Sequence, residues 1–327
     1  MAAKEQDMIK RAVTLACAAL LGAPLQAQTG PVEVSIEAAG PQGPLAGTML
    51  RGSSAQGPVA LIIPGSGPTD RDGNSPLGIR AGSYRLLAQG LAAEGITTVR
   101  IDKRGMFGSA GAVPDANAVT MADYVADTAA WVTAARAQTG APCVWLIGHS
   151  EGGLVALAAA REVENLCGVI LIAAAGRPLG EVIKSQLRAN PANATLLEAA
   201  DAAIDELAAG RRVDVTALPQ PLAPLFNPAV QGFLISTFAL DPAELAAKAR
   251  LPILIVQGGK DIQVSVADAE RLKGANPAAT LIILPNANHV LKDVAGDSPS
   301  DNMATYQAPD LPLSEGLVSG IAAFVRD

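Results

Sequence analysis

Residues 144–152 read Val-Trp-Leu-Ile-Gly-His-Ser-Glu-Gly, and the organisation of the rest of the chain can be inferred outward from this stretch. Residues 144–147 form an apolar run that predicts a buried strand, and the Ala- and Leu-rich residues 152–162 predict a helix. The pentapeptide between them has the form G-x-S-x-G, which is informative in this strand–turn–helix context. Such a sharp turn exposes the serine hydroxyl at the sheet edge, beside a helix N-terminus that favours negative charge. The stretch therefore predicts that Ser150 is a nucleophile.

The same alternation of apolar runs and helical patterns extends through most of the chain. The runs are apolar throughout, which indicates strands buried on both faces, and the helical patterns between them indicate parallel order. We therefore predict an α/β fold with a mostly parallel open sheet, helices on both faces, and its chemistry at the carboxyl ends of the strands. The predicted strands are residues 32–38, 48–51, 59–63, 96–101, 144–147, 169–175, 253–256 and 281–284.

Residues 177–250 interrupt this alternation, because they contain no convincing strand. Leucines and isoleucines at helical spacing, followed by several prolines, predict a helical insertion between two core strands. Its position at the carboxyl edge of the sheet predicts a cap over the site, although an ordinary pair of surface helices is the alternative interpretation. Six apolar residues of this segment are candidates either for a pocket wall or for the core of the cap: Leu218, Leu222, Leu225, Phe226, Phe233 and Phe238.

The chain has only two histidines, which narrows the choice of a catalytic base. A serine hydroxyl is a weak nucleophile until a base takes its proton. His149 is bonded to Ser150 in the chain, so its ring should not reach the serine oxygen productively. His289 lies in the loop after the predicted strand 281–284, and it is the predicted base.

An acidic side chain must orient that histidine and stabilise its cation. Asp261 directly follows the predicted strand 253–256 and two glycines that permit a turn, so it is the predicted acid. Asp268 lies inside a predicted helix and Asp293 lies one turn past the histidine, and both are better explained as solvated surface carboxylates. The resulting order of Ser, Asp and His along the chain is the one expected for this class of site.

Hydrolysis of an acyl group also requires two N–H donors aimed at the oxyanion. The first predicted donor is the backbone N–H of Glu151, the residue after the nucleophile. The second is the backbone N–H of Ser66 in the loop after the strand 59–63, with Gly67 as the alternative, whereas Pro68 cannot donate. The side chain of Glu151 is expected to be solvated or paired with an arginine. The charged residues 70–72 that follow predict a local network of ion pairs and turns rather than a metal site.

Four segments together resemble a known family. They are Pro-Gly-Ser-Gly-Pro-Thr-Asp-Arg-Asp-Gly-Asn at residues 64–74, Gly-His-Ser-Glu-Gly-Gly at 148–153, Gly-Gly-Lys-Asp at 258–261, and Asn-His at 288–289. In this order they are similar to bacterial α/β-hydrolase carboxylesterases that carry a helical cap after the sixth strand. The resemblance implies hydrolysis of small to medium acyl esters through an acyl-enzyme on Ser150, with a small-molecule ester substrate and without a metal or cofactor.

Other functions use the same fold. A serine peptidase or amidase with the same three residues is the first alternative, because nothing in the sequence separates ester from amide substrates. A non-catalytic binding module is disfavoured by the complete set of Ser150, Asp261 and His289. A cofactor-free haloperoxidase-like or lyase variant remains compatible with the fold, because function depends on the site rather than on the fold.

Residues 1–27 show the three-part pattern of a secretory signal peptide, with a basic start, an uncharged apolar run and then small residues. The apolar run is shorter than the roughly 20 residues needed to span a bilayer, so a membrane anchor is the weaker interpretation. We therefore predict an exported protein, periplasmic or secreted, with a mature domain over residues 28–327 and no stable membrane insertion.

The charge of the chain excludes one class of partner. Its formal net charge is −7 at pH 7, and its basic runs do not exceed the pairs Lys103-Arg104 and Arg211-Arg212. A protein that binds nucleic acid is expected to show a basic patch or stripe. We therefore predict no nucleic-acid partner.

Two cysteines remain after the predicted signal peptide. Cys143 and Cys167 each open a predicted strand, and these strands flank one helix. A disulfide is therefore geometrically conceivable in an oxidising compartment. Two buried thiols are the favoured interpretation, because free cysteine is among the most buried residue types.

Overall fold

Eight strands form one sheet in the computed structural model, which describes residues 33–54 and 56–327. The strands are β1 Glu33–Ala38, β2 Leu45–Leu50, β3 Val59–Ile63, β4 Thr97–Ile101, β5 Val144–His149, β6 Leu166–Ile172, β7 Ile253–Gly258 and β8 Thr280–Leu284. Their order across the sheet is β1-β2-β4-β3-β5-β6-β7-β8. β2 pairs antiparallel with both β1 and β4, and the remaining neighbours pair in parallel.

Helices cover both faces of this sheet. They are α1 Ser83–Ala93, α2 Met121–Thr139, α3 Glu151–Ala159, α4 Leu179–Ala189, α5 Leu197–Ala208, α6 Gln231–Phe238, α7 Pro242–Lys248, α8 Val266–Ala275, α9 Pro299–Ala304 and α10 Leu317–Arg326. Short 3₁₀ turns lie at Phe107–Ala112, Pro191–Leu196, Val215–Ala217, Gln220–Leu222 and Thr305–Gln307, and a two-stranded ribbon pairs Asn74–Ser75 with Ile79–Arg80. None of the helices in the described ranges is long and apolar enough to cross a membrane.

The central strands are buried because each contributes side chains to two separate cores. Along β3, Leu61 and Ile63 pack with α2 and α3 on one face. Ala60 and Ile62 pack with α1 and α10 on the other face, as the two-residue period of a strand requires. The prediction of a mostly parallel sheet with helices on both faces is therefore confirmed. The predicted signal peptide, residues 1–27, lies outside the described residues.

Residues 177–250, which we call the inserted segment, connect β6 to β7 and contain α4 to α7 but no strand in their described structure. This segment has an apolar cluster of its own, in which Leu222, Phe226 and Phe238 are buried. Three of the six apolar residues singled out in the sequence therefore belong to the core of the segment. Leu218, Leu225 and Phe233 only flank that cluster. Leu225 and Phe233 also line the large pocket at Ser150.

Cys143 and Cys167 form a disulfide, with their sulfur atoms 2.02 Å and their Cα atoms 5.2 Å apart. The expectation of two free thiols was wrong. Neighbouring parallel strands begin side by side, and Val144 of β5 is paired with Leu166 of β6. This register places the two cysteines at adjacent positions on the amino-terminal edge of the sheet, within the Cα separation that a disulfide requires.

Replacing both cysteines by serine, C143S/C167S, is expected to lower the free energy of unfolding by about 3 kcal/mol. The reason is that the bridge restrains an unfolded loop whose ends are 24 positions apart in the chain. Urea unfolding followed by circular dichroism measures the difference. A reducing agent should destabilise the wild type to a similar extent and leave the serine variant unchanged. Equal unfolding midpoints for oxidised wild type and variant would contradict the prediction.

Candidate active site

Ser150 occupies a strained turn between β5 and α3. Its backbone has φ 54° and ψ −121°, in a region that non-glycine residues rarely adopt. The turn is held by a hydrogen bond of 2.9 Å from the Ser150 N–H to the Ile172 carbonyl of β6. The half-buried serine therefore stands at the carboxyl edge of the sheet, where its sequence context predicts it.

Two glycines make this turn possible because no side chain fits at either position. A Cβ on Gly152 would lie 2.3 Å from the Ile63 carbonyl oxygen, and a Cβ on Gly148 would lie 2.2 Å from the Gly152 carbonyl oxygen. Both distances are far below van der Waals contact. The start of α3 can therefore approach β3 and β5 only with glycine on either side of His149-Ser150-Glu151.

Asp261 and His289 come together as the sequence predicts. Asp261 follows β7 and His289 follows β8, and the His289 Nδ1 lies 2.9 Å from Asp261 Oδ2. Because a carboxylate can only accept a hydrogen bond, Nδ1–H is the donor, and the Nε2 of the neutral ring is left to accept a proton. Ser150 and His289 line the same pocket, although among the described residues Ser150 Oγ forms no hydrogen bond to His289.

The Asp261 carboxylate is fully buried and well supplied with donors. Its Oδ1 accepts hydrogen bonds from the Gln263 N–H at 2.7 Å and the Val264 N–H at 3.0 Å, and its Oδ2 accepts one from Gln257 Nε2 at 3.2 Å. Burial alone would raise the pKa of Asp261. The charge and hydrogen bond of His289, with the hydrogen bonds from the Val264 and Gln263 N–H groups, outweigh burial and hold the pKa below its ordinary value. Asp261 is thus an ionised group that orients the imidazole.

The two other candidate acids lie elsewhere. Asp293 is exposed and accepts a hydrogen bond from Ser314. Asp268 is buried rather than solvated, so that expectation was wrong. It caps α8 through Ser265 and accepts hydrogen bonds from Arg177 Nε at 2.8 Å and Nη2 at 2.9 Å. Its carboxylate joins the inserted segment to the sheet domain.

Both ring nitrogens of His149 are occupied by contacts with residues other than Ser150. Its Nε2 lies 2.8 Å from the His289 carbonyl oxygen, and its Nδ1 lies 2.8 Å from the Tyr84 hydroxyl. The carbonyl can only accept, so Nε2–H donates to it and Nδ1 accepts from Tyr84, whose oxygen in turn accepts the Gly65 N–H at 3.1 Å. Burial, together with the nearby charge of His289, lowers the pKa of His149 to about 3. A neutral His149 therefore fixes the main chain of His289.

The predicted oxyanion donors surround Ser150. Ser66 and Gly67 line the large pocket together with Ser150 and Glu151. Glu151 is the first residue of α3, so its N–H has no acceptor within the helix. The loop that contains Ser66 and the start of α3 thus line the same pocket as Ser150. The Ser66 carbonyl accepts a hydrogen bond of 2.9 Å from the Thr69 hydroxyl.

The Glu151 side chain does not meet the expectation of solvation or of an arginine partner. It is buried, and its carboxylate lies 3.6 Å from the Lys103 ammonium. Lys103 is equally buried and donates a hydrogen bond of 2.6 Å to the Gly65 carbonyl oxygen. Burial lowers the pKa of Lys103, and the neighbouring Glu151 opposes that shift. The sequence analysis did not predict this pair. Lys103 lies two residues after the end of β4, at the edge of the sheet where functional side chains are expected.

The charged loop after the oxyanion segment is a network of turns and ion pairs. Asp70 Oδ1 accepts hydrogen bonds from the backbone N–H groups of Asp72 and Asn74 at 2.9 and 2.8 Å. The Arg71 guanidinium donates twice to Asp102 at the end of β4. Within the part of the chain that the structure describes, no group of three or more His, Cys, Asp or Glu side chains is placed to hold a metal ion.

Two pockets meet at Ser150. The small pocket, of about 90 Å³, contains His289, His149 and Tyr84. The large pocket, of about 280 Å³, lies under the inserted segment. The apolar residues that line it are Leu154, Ala175, Leu179, Val182, Ile183, Leu225, Phe233, Leu234, Pro242 and Val264.

The sheet order, the strained serine turn and the Asp–His pair define the class of α/β hydrolases. A family model described as alpha/beta hydrolase family matches residues 60–305, and the chain belongs to this family.

Related proteins include esterases. Esterase EstD of Thermotoga maritima is 26% identical over 246 residues, which cover 74% of this chain but only 56% of EstD. Among solved structures, the Pyrococcus furiosus esterase Pf2001 has a TM-score of 0.55 at 17% identity, covering 90% of this chain and 91% of that one. Est1E from Butyrivibrio proteoclasticus has a TM-score of 0.55 at 14% identity, covering 90% of this chain and 99% of that one. At such low identity the two structures establish the fold alone.

The Asp261→Asn variant is expected to lose about 2 kcal/mol of stability at pH 7, the typical cost of a lost hydrogen bond to a charged group. The folded-state pKa of Asp261 lies below its ordinary value of 3.8. Ionised Asp261 therefore stabilises the fold above about pH 4, and this contribution disappears as the pH falls through the folded pKa. Urea unfolding of wild type and variant from pH 7 to pH 2 measures this effect. The difference between their free energies of unfolding should become smaller as the pH falls.

The matched control for this measurement is Asp293→Asn, which changes an exposed carboxylate near the same loop. We expect it to change the free energy of unfolding by less than about 0.5 kcal/mol. The assignment of Asp261 as an ionised partner of His289 would be contradicted by one result. In that result the difference in free energy of unfolding between wild type and D261N stays constant down to pH 2.

Proposed function

We propose that this chain is a serine esterase that hydrolyses small to medium acyl esters through an acyl-enzyme on Ser150. The observation that carries the proposal is the Asp261–His289 hydrogen bond of 2.9 Å, formed on the wall of the pocket that Ser150 also lines. The similarity to EstD supports an ester rather than another acyl substrate.

Each residue then has a defined part in the reaction. Ser150 Oγ bonds to the acyl carbon while its proton passes to His289 Nε2, and the carbonyl oxygen becomes an oxyanion. The N–H groups of Ser66 and Glu151 stabilise that charge. His289 gives its proton to the departing alkoxide as the carbon–oxygen bond breaks, which leaves the acyl group on the serine. A water molecule repeats the sequence and releases the carboxylic acid.

The positions of the two pockets indicate where the alcohol and the acyl chain of the substrate bind. The leaving alcohol must face the group that protonates it, and His289 lines the small pocket but not the large one. The alcohol therefore occupies the small pocket, of about 90 Å³. The acyl chain occupies the large apolar pocket, of about 280 Å³. Hydrocarbon is stabilised there by burial, at roughly 0.8 kcal/mol for each methylene.

Ser150→Ala is expected to abolish turnover of p-nitrophenyl esters and labelling by a fluorophosphonate while it folds normally. The loss should reach at least about a thousandfold, because the nucleophile itself is removed. The panel runs from acetate to palmitate and includes an amino-acid anilide as an amide. Ser53→Ala, at an exposed serine before β3 that lines neither pocket at Ser150, is the control and should retain labelling.

Each outcome of this panel has a definite meaning. Ester turnover that disappears in S150A supports the proposal. Labelling at Ser150 combined with turnover of the anilide alone would replace the esterase by an amidase. Full ester turnover by S150A would remove the serine from the mechanism.

Filling the large pocket should shorten the accepted acyl chain. Ile183 lines that pocket from α4, so Ile183→Trp is expected to lower kcat/KM for p-nitrophenyl octanoate about tenfold or more relative to acetate. Ile79 lines the small pocket, so Ile79→Trp is the matched control and should leave the acyl-length profile unchanged while it penalises bulky alcohols. The reverse pattern would show that the two halves of the substrate were assigned to the wrong pockets.

A further inference from the structure

Lys103 joins the two segments that carry the candidate oxyanion donors. Its side chain is 5% exposed, and the Glu151 side chain is 4% exposed. The ammonium donates to the Gly65 carbonyl oxygen at 2.6 Å and lies 3.6 Å from a Glu151 carboxylate oxygen. It also stands 5.6 Å from the centre of the Tyr124 ring. One buried cation therefore contacts the loop after β3 and the first residue of α3 together.

The contact with Gly65 controls the direction of the Ser66 N–H. The carbonyl of Gly65 and the N–H of Ser66 belong to the same peptide group, which is planar and trans, so they point in opposite directions. Holding the oxygen towards Lys103 therefore turns the N–H away from Lys103. Hydrogen bonding at the oxygen also polarises the peptide group and strengthens its N–H as a donor.

The contact with Glu151 acts on the second donor. The Glu151 side chain belongs to the residue whose own N–H is exposed at the start of α3. Its carboxylate is buried and lies beside the Lys103 ammonium. Lys103 therefore restrains Glu151 relative to Gly65. The same restraint sets the distance between the Ser66 and Glu151 N–H groups, which must both point to one oxyanion.

We propose that Lys103 is a positioning residue that aims both oxyanion donors, and this role rests on the proposed esterase function. Lys103 lines neither of the two pockets that meet at Ser150. It acts through the Gly65–Ser66 peptide group and through Glu151. The alternative is that Lys103 only neutralises a buried Glu151 carboxylate, and the experiment below separates the two roles.

The test compares Lys103→Met with the double variant Lys103→Met/Glu151→Gln, which removes both buried charges together. If Lys103 aims the donors, kcat for a p-nitrophenyl ester falls about a hundred- to a thousandfold in both variants, the range seen when one oxyanion donor is lost. KM changes little, because the oxyanion exists only in the transition state. If Lys103 only balances charge, the double variant recovers kcat to near that of the wild type, which would overturn the proposal.

Two further variants make the kinetic comparison specific. Lys273→Met is the matched control, because Lys273 also donates to a backbone carbonyl, that of Ala279 at 2.6 Å, but does so at the amino-terminal edge of the sheet. It should retain wild-type kcat. Thr69→Val removes the hydrogen bond to the Ser66 carbonyl. That carbonyl shares a peptide group with the Gly67 N–H, so this variant disturbs the alternative donor, Gly67, rather than Ser66. A loss confined to T69V, with kcat retained in K103M, would identify Gly67 as the donor and overturn the role of Lys103.

Crystal structures of the wild type, the double variant and K273M provide a readout that does not depend on the substrate. The Gly65–Ser66 peptide group should rotate in the double variant and stay in place in K273M. An unchanged peptide group would overturn the proposal whatever the kinetics. If the wild type hydrolyses no ester, the esterase function fails, and the orientation of this peptide still decides the role of Lys103.

Discussion

The sharp turn at Ser150 requires the ends of β3 and β5 and the start of α3 to meet almost backbone to backbone. Gly148 and Gly152 permit this approach, since any side chain on them would collide with a carbonyl oxygen. The left-handed backbone of Ser150 costs of order 1–3 kcal/mol and persists only where the surrounding structure imposes it. The sheet imposes this conformation, because the Ser150 N–H donates a hydrogen bond to the Ile172 carbonyl of β6. The position of Ser150 is thus a consequence of strand order and packing rather than of local preference.

A layer of buried polar groups beneath the turn gives the site its rigidity. Tyr84 and His149 connect Gly65 to the main chain of His289, and Lys103 connects Gly65 to Glu151. Polar groups buried in a low dielectric must be satisfied, and a fully satisfied network favours one arrangement strongly over its alternatives. The loop after β3, the start of α3 and the loop that carries His289 are therefore connected through buried polar groups, which hold Ser150 and His289 in place without covalent restraint.

The sequence predicts the parts of this site that follow from strand ends. Ser150, Asp261 and His289 each lie within about five residues of the end of an apolar run. Parallel strands bring such positions to one edge of the sheet whatever their distance along the chain. Contacts that depend on register or on side-chain direction could not be predicted in this way. The Cys143–Cys167 bridge required the pairing of Val144 with Leu166, and the burial of Asp268 required a partner, Arg177, from the inserted segment. Helical spacing likewise could not separate Phe233, on the pocket wall, from the buried Phe226.

The most direct test of the account is to trap the covalent intermediate. The wild-type protein is mixed with p-nitrophenyl butyrate, quenched in acid during turnover, digested and analysed by mass spectrometry. A butanoyl group on the peptide that contains Ser150, and its absence from the same peptide of the Ser150→Ala variant, is the predicted result. Two results would contradict the central claim. One is ester turnover with the acyl group on another residue. The other is a burst of p-nitrophenol in the first turnover with no acylated peptide at all.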